Sequence, residues 1–490
     1  MPVSFAPSGD DLLRFAPELI LTIAGTLLMV LDPFFAKKNP RLFGHLSIAA
    51  FLLALVGTAA ANGVPGLAYS NLLVVDGFAT FFRALVIVVG ILTVLASYHY
   101  LDREKAETGE YHALLLFSVV GQCVMVAAND LIMIFIGLEI SSIASYVLAG
   151  YLRNDKRNNE SALKYFLLGS FATGFLLYGV ALIYGVAGTT KLDEIRVALN
   201  QPGSNAFAMV SVAAALMFVG LAFKVSGAPF QVWAPDVYQG APAPVTAFMA
   251  TAPKAAAFAI FLRIFLTAFQ NIAGGWEPLV WISALLSMTI GNFAALKQTN
   301  LKRMLAYSSI AHAGYLLVAL AARSEIGTAA AMFYLAAYSL MNIGAFAVVI
   351  HIAGKGEKFV RIDDLAGLAR RQPLVAAMMT IFLLSLIGVP LTGGFFGKFY
   401  IFRAALQSNL VWLAVLGLLN SAVAAFYYLR LLVVMYMHEP GAEAPNAEPL
   451  TLGLRLALVL SAAGTIFLGV IPGPVLTFVQ QSTAFVKLGM

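Results

Sequence analysis

GLAFKVSGAPFQVWAPDVY (220–238) closes an apolar run that begins near Ala206. Lys224 stands in it among oily side chains, and Pro229 lies five residues on. Proline lacks the N–H and its ring clashes with the preceding turn, so the helix cannot pass undisturbed. Were the span to end there, Lys224 would lie about one turn from the surface and snorkel to it. Instead Phe230, Val232, Trp233 and Val237 carry the apolar character onward, punctuated by Pro235. The pattern predicts a broken membrane helix with its lysine inside the protein, just before the break. Breaks are tolerated where freed backbone groups face protein or a wet cavity, and they mark ion sites in transporters.

The rest of the chain is the right solvent for such a helix. Of 490 residues, 61% are hydrophobic and 11% charged, with a mean hydropathy of +0.87, whereas a soluble domain carries about 25% charged residues. Apolar runs of about twenty residues recur, each long enough to cross a core roughly 30 Å thick. The class is all-α and integral to the membrane; a barrel would show short alternating segments. The acidic start MPVSFAPSGDD is unlike a secretory signal. One cysteine, Cys123, allows no internal disulfide and cannot alone hold an iron–sulfur cluster. The six histidines are scattered, and Gly397-Lys398 is followed by Phe399 rather than by the Ser or Thr of a phosphate loop. No redox or nucleotide cofactor is expected in this chain. The net charge of +6 implies no nucleic acid, since the basic residues gather in loops.

Hydropathy places fourteen spans at about 12–31, 42–61, 76–100, 112–128, 131–151, 161–187, 206–228, 243–270, 277–296, 302–321, 326–353, 373–402, 411–437 and 452–477, in one polytopic domain with no soluble insertion. One set of loops collects Lys37, Lys38, Arg41, Arg103, Lys105, Arg153, Lys156, Arg157, Lys297, Lys302, Arg303, Lys355, Lys358, Arg361, Arg370 and Arg371. The opposite loops hold Lys191, Arg196, Arg323 and Arg403. Basic loops mark the cytoplasmic face, so both termini are expected on the periplasmic side of a bacterial inner membrane.

Ionisable residues deep in the spans are costly and point to function. Glu139 lies roughly 12 Å into span five, and Lys254 is near the middle of span eight. Lys398 repeats the device of Lys224: span twelve runs to GVPLTGG (388–394), which should unwind, before FFGKFYIF resumes the helix. Lys164 follows Glu160 by four residues and either snorkels or joins the set. His312 in span ten titrates near neutrality and either bridges the lysines or packs as a hydrogen-bonded core residue, with Ser308, Ser309 and Tyr315 close in sequence. Asp76 and Arg83 are near neighbours in span three, and Arg263 and Arg430 read as anchors. The two breaks are five spans apart. Five is odd, so the second copy of such a repeat is inverted, and spans four to eight (112–270) and nine to thirteen (277–437) are expected as inverted repeats.

Glu139, Lys224, Lys254 and the segment PFQVWAPDVYQGAPAPVT (229–246) resemble the antiporter-like membrane subunits of respiratory complex I, the proton-translocating NADH:quinone oxidoreductase. The resemblance extends over nearly the whole chain and all fourteen spans. It implies a subunit that couples electron transfer from NADH to quinone to proton pumping. It also implies that Glu139 pairs with Lys224, that Lys254 continues a polar central axis toward Lys398, and that Lys164 takes a place beside them. NAD, FMN, iron–sulfur clusters and quinone would belong to partner subunits, the other membrane and peripheral members of the complex. Of three paralogous types, one carries a C-terminal extension that is lacking after Met490, and another carries glutamate where this chain has Lys398; AYSSIAHAGY (306–315) is similar to the third. The alternative is a subunit of a multi-subunit Na⁺/H⁺ antiporter or membrane-bound hydrogenase, which shares the motifs. The electrostatics suit either: at about 4 Å and an effective dielectric near 20, a carboxylate–lysine pair is worth roughly 4 kcal/mol, enough to decide whether the lysine holds its proton.

Overall fold

In a computed structural model the chain is described over residues 7–35, 41–106, 108–200, 207–440 and 449–487. Lys37, Lys38 and the expected start of span seven at Ala206 lie outside the described residues. Thirteen helices among these residues are long and apolar enough to span a membrane. A fourteenth crossing is made by two half-helices, Pro373–Ile387 and Gly393–Gln407, as the sequence of span twelve requires.

The spans start where the sequence supplies caps. Asp130 accepts from the N–H groups of Ile132 (2.8 Å) and Met133 (3.2 Å) to open Leu131–Ala149, the fifth span. Asp155, Asn300 and Ser324 do the same for Lys156–Ala187, Leu301–Ala321 and Glu325–Ile352, the sixth, tenth and eleventh. Each satisfies donors that a helix start leaves unpaired. The eighth span, Ala243–Thr267, is wholly enclosed, and the tenth and eleventh nearly so. The fifth, sixth and thirteenth, Val411–Met437, turn apolar stripes outward, such as Ile132, Ile136 and Val147 of the fifth. The core therefore lies around spans eight, ten and eleven, and the buried charges sit in it and on the spans packed around it, Lys254 on span eight, Lys224 on span seven and Lys398 on span twelve.

The first break falls as read. Phe207–Val225 ends one residue past Lys224, and the chain resumes helix at Trp233–Gly240. Between them Ser226 takes φ 60° and the Ala228–Pro229 bond is cis. The freed backbone is not left bare. Ala228 N–H donates to Ser287 Oγ (2.7 Å), Ser283 Oγ donates to Ala228 O (2.6 Å), and Trp233 Nε1 donates to Phe223 O (2.9 Å). Two serines of the ninth span, Gln270–Leu296, thus take over hydrogen bonds that the proline forbids.

Three expectations are corrected. Span eight is not continuous over 243–270: it is built of Ala243–Met249 and Ala252–Thr267, with Thr251 non-helical at φ −124°, ψ −80°. Pro253 has no N–H to offer the Met249 carbonyl, so a third interruption arises one turn before Lys254. Span fourteen ends at Val470 rather than 477, because Pro472 and Pro474 start a separate helix, Gly473–Gln481. The loop at 188–205 also carries structure, the short amphipathic helix Leu192–Leu199.

Candidate functional site

Lys224 is 6% exposed, and its Nζ donates to Ser142 Oγ (2.7 Å) and Tyr165 Oη (3.4 Å). It also lies over the rings of Tyr146 and Tyr165, at 5.9 and 5.6 Å from their centroids. Glu139 is one turn below Ser142 on span five, half-buried. No direct ion pair joins its carboxylate to the Lys224 ammonium, whose hydrogen bonds go to Ser142 and Tyr165. Glu139 Oε1 is instead buried without a hydrogen-bond partner among the described residues. Ser142, the lysine's partner on the same span, donates its own hydroxyl to Leu138 O (2.6 Å).

Lys164 is placed elsewhere. Its ammonium bridges Asp236 (2.8 Å) and Glu160 (2.8 Å), with 41% of its side chain exposed. Asp236 also accepts from Arg303 (2.6 Å). Burial opposes ionisation of Asp236, but the lysine and arginine outweigh it and hold the carboxyl below the usual aspartate range. Lys164 therefore fastens the far limb of the break and is not gathered with Lys224. The physical content of PDVYQG follows from this. Asp236 is the hub of the clamp, and Gly240 is pressed so closely that a Cβ there would lie 2.8 Å from Arg157 O. Asn158 Nδ2 donates to Gly240 O (3.0 Å).

Lys254, 1% exposed, donates to Ser309 O (3.0 Å) and closely to Ser309 Oγ. Tyr338 Oη donates to the same serine (2.9 Å), and Asn342 Nδ2 donates to Tyr338 Oη (3.0 Å). One turn further along span ten, His312 Nδ1 meets the Tyr334 hydroxyl and Nε2 meets Tyr428 Oη (3.2 Å). Tyr428 also meets Ser308. Next to it, Tyr427 Oη donates to Asn292 Oδ1 (3.1 Å), and Asn292 Nδ2 donates to Tyr315 Oη (3.3 Å).

The far end is Lys398, 5% exposed. Its Nζ donates to Leu386 O, Ile387 O and Ser421 Oγ, each at 2.9 Å, and sits 4.8 Å from the centre of the Tyr315 ring. Gly388, at φ 94°, ends the first half-helix and releases those carbonyls. The lysine thus caps the negative end of the half-helix, as Lys224 stands in the last turn of Phe207–Val225. Lys254, by contrast, stands in the first turn of Ala252–Thr267, the positive end, where a cation gains nothing from the helix. Lys398 also lines a cavity of about 550 Å³ with Phe395, Phe399, Phe402, Arg403 and Ser421.

The residues anticipated from sequence thus fall into two groups, Glu139 with Lys224 and Lys254–His312–Lys398, with Lys164 aside; Ser142, which holds Lys224, was not anticipated. Sequence reasoning missed Tyr334, Tyr338, Tyr427, Tyr428 and Asn292, which fill the second cluster with hydroxyl and amide groups. Asp76 and Arg83, neighbours in sequence, have separate partners. Arg263 grips Asp76 at 3.0 and 2.9 Å, and Arg83 pairs with the unforeseen Glu18 at 2.7 Å. Arg430 reaches Leu296 O at 3.5 Å, an anchor.

Interrupted helices meeting buried, hydrogen-bonded lysines near the centre of a polytopic bundle define the class of ion-translocating membrane proteins. Residues 128–424 match the family described as NADH:quinone oxidoreductase/Mrp antiporter, transmembrane. NADH-quinone oxidoreductase subunit N 1 of Solibacter usitatus is 67% identical over 488 residues, covering 99% of this chain and 100% of the relative. A chain of respiratory complex I from Thermus thermophilus is 35% identical with a TM-score of 0.80, over 94% of this chain and 98% of that one. A chain of the archaeal membrane-bound sulfane sulfur reductase is 28% identical with a TM-score of 0.85, over 97% of each. The chain belongs to the NADH:quinone oxidoreductase/Mrp antiporter family and, within it, to the NADH-quinone oxidoreductase subunit N proteins.

Proposed function

We propose that this chain is a proton-translocating membrane-arm subunit of NADH:quinone oxidoreductase, and that Lys224, Lys254, His312 and Lys398 carry the protons. The observation that carries this reading is the run of buried polar groups between Lys254 and Lys398. Ser309, Ser308, His312, the tyrosines, Asn292 and Ser421 leave few apolar gaps, and water of ordinary size completes such a path. A hydroxyl accepts a proton on oxygen as it releases its own, so tyrosine and serine relay without moving far. Glu139 acts on Lys224 by its field, favouring the charged amine. Each ammonium formed disfavours the next, because like charges repel strongly where the surroundings are dry. A change at one end is thereby passed along the bundle without large helix motion.

The same reading covers what surrounds the axis. Electron transfer from NADH to quinone, with its NAD, FMN, iron–sulfur and quinone chemistry, belongs to partner subunits, and this chain moves protons only. Spans four to eight and nine to thirteen act as inverted repeats opening to opposite faces. The basic loops face the cytoplasm of a bacterial inner membrane, with both termini outside. The antiporter or hydrogenase alternative has weaker support, since the respiratory relative of that wider group stands at 28% identity against 67% for subunit N. Purification from the native membrane tests the assignment: NADH-oxidising and other membrane-arm subunits should accompany the chain, and recovery with antiporter subunits alone would overturn it.

A further inference from the structure

The ion pair Lys302–Glu357 lies outside the axis, and no step above uses it. Lys302, at the start of span ten, is fully buried, and its Nζ lies 2.6 Å from Glu357 Oε2 and 2.6 Å from Ala241 O. Glu357 Oε1 accepts from the Ala243 N–H (2.7 Å) and from Tyr100 Oη (2.9 Å). Ala241 and Ala243 flank Pro242, the joint between the broken seventh span and the eighth. The chain is contorted to deliver this carboxylate. Gly354 and Gly356 take φ of 66° and 67°, and Glu357 follows at 52°, a region that costs a side-chain-bearing residue energy. The carboxylate borders a polar cavity of about 610 Å³, shared with Tyr100, Glu104, Asp155, Arg157 and Asn158, on the face with most basic loops.

Polar groups lead inward from this cavity. Thr246 Oγ1 donates to the backbone carbonyls of Ala241 (3.4 Å) and Tyr238 (3.1 Å), so water must carry a proton between it and the Tyr238 hydroxyl. The Tyr238 hydroxyl lies 3.5 Å from Met249 O, the carbonyl that Pro253 cannot engage, and beside the Ser309 hydroxyl that holds Lys254. Ala243 and Lys254 are roughly 16 Å apart along span eight, too far for one transfer, so intermediate hydroxyls or waters are required.

We propose that Glu357 collects protons from the cavity and that Thr246, Tyr238 and Ser309 pass them to Lys254, with Lys302 holding the carboxylate at the joint. This rests on the reading that Lys254 belongs to a proton-carrying axis. Protonated Glu357 releases its proton inward. Each hydroxyl gains one proton on oxygen and gives up another, and the neutral Lys254 amine becomes an ammonium. Glu357, now a carboxylate beside the Lys302 ammonium, is reprotonated from cavity water. One proton leaves the water and one arrives at Lys254; only O–H and N–H bonds change.

The test uses the whole purified complex and its coupled NADH oxidation, normalised to assembled complex. Glu357→Gln keeps the shape but takes up no proton, so turnover should fall about tenfold or more. Added formate, a small proton carrier that fits the cavity, should restore part of it, which it would not do for a merely structural loss. Tyr238→Phe keeps the ring packing, assembles without the charge change, and should slow turnover similarly. Full turnover in Tyr238→Phe, or a Glu357→Gln loss that formate leaves untouched, would overturn the intake route. If Lys224→Arg is inactive while both intake variants run normally, only this inference falls. If all three run normally, the axis itself falls.

Discussion

Lys224, Lys254 and Lys398 share burial but differ in what their ammonium groups touch, and the difference assigns their work. Lys398 rests on two carbonyls and a serine at a helix's negative end, whereas Lys254 has one serine and no helical support. The histidine between them is held by two tyrosines, and Tyr428 is shared with Ser308. Tyr428→Phe removes that shared hydroxyl and keeps the ring. Proton pumping per assembled complex is expected to drop severalfold, with stability lowered by about 1–3 kcal/mol, because Ser308 and His312 each lose a buried hydrogen bond. Pumping at the wild-type rate would place the route elsewhere. The charged residues were legible in the sequence because a lysine in hydrocarbon has no bland explanation. The tyrosines were not, because an aromatic ring in an apolar helix looks like packing until its hydroxyl is seen to have a partner. Lys164 stayed open in the sequence: the resemblance suggested the axis, while the structure pairs its ammonium with Glu160 and Asp236.

The elements were legible where proline and glycine cluster. Pro229 and the run GVPLTGG mark two breaks, and the structure repairs both with neighbours' side chains, Ser283 and Ser287 at one and Lys398 at the other. The break in span eight passed unread because Pro253 stands alone in an alanine-rich run, with no glycine beside it. The parity of the spans carries its own prediction. A cysteine at exposed Lys358 should react with a membrane-impermeant thiol reagent from the cytoplasmic side only, and one at exposed Gly188 from the outer side only. The native Cys123 is buried and should stay silent. Reversed labelling would overturn the orientation.

Across the whole molecule the polar groups gather around the enclosed spans eight, ten and eleven, from those spans and from the inner faces of their neighbours, while the outer faces present apolar stripes to lipid or to neighbouring subunits. Such a bundle passes charge through its centre while its surface stays oily. Its two clusters meet no direct hydrogen bond between Lys224 and Lys254, so the first must act on the second by field and water. The central claim is that Lys224 gains and loses a proton in every cycle. Arginine separates this from anchoring, because it keeps the charge on a side chain of similar reach and does not release its proton at any working pH. The measurement is NADH-driven proton uptake in vesicles carrying Lys224→Arg, normalised to the amount of assembled complex. The account predicts normal assembly with most coupled uptake lost; uptake at the wild-type rate would reduce Lys224 to an anchor and contradict it.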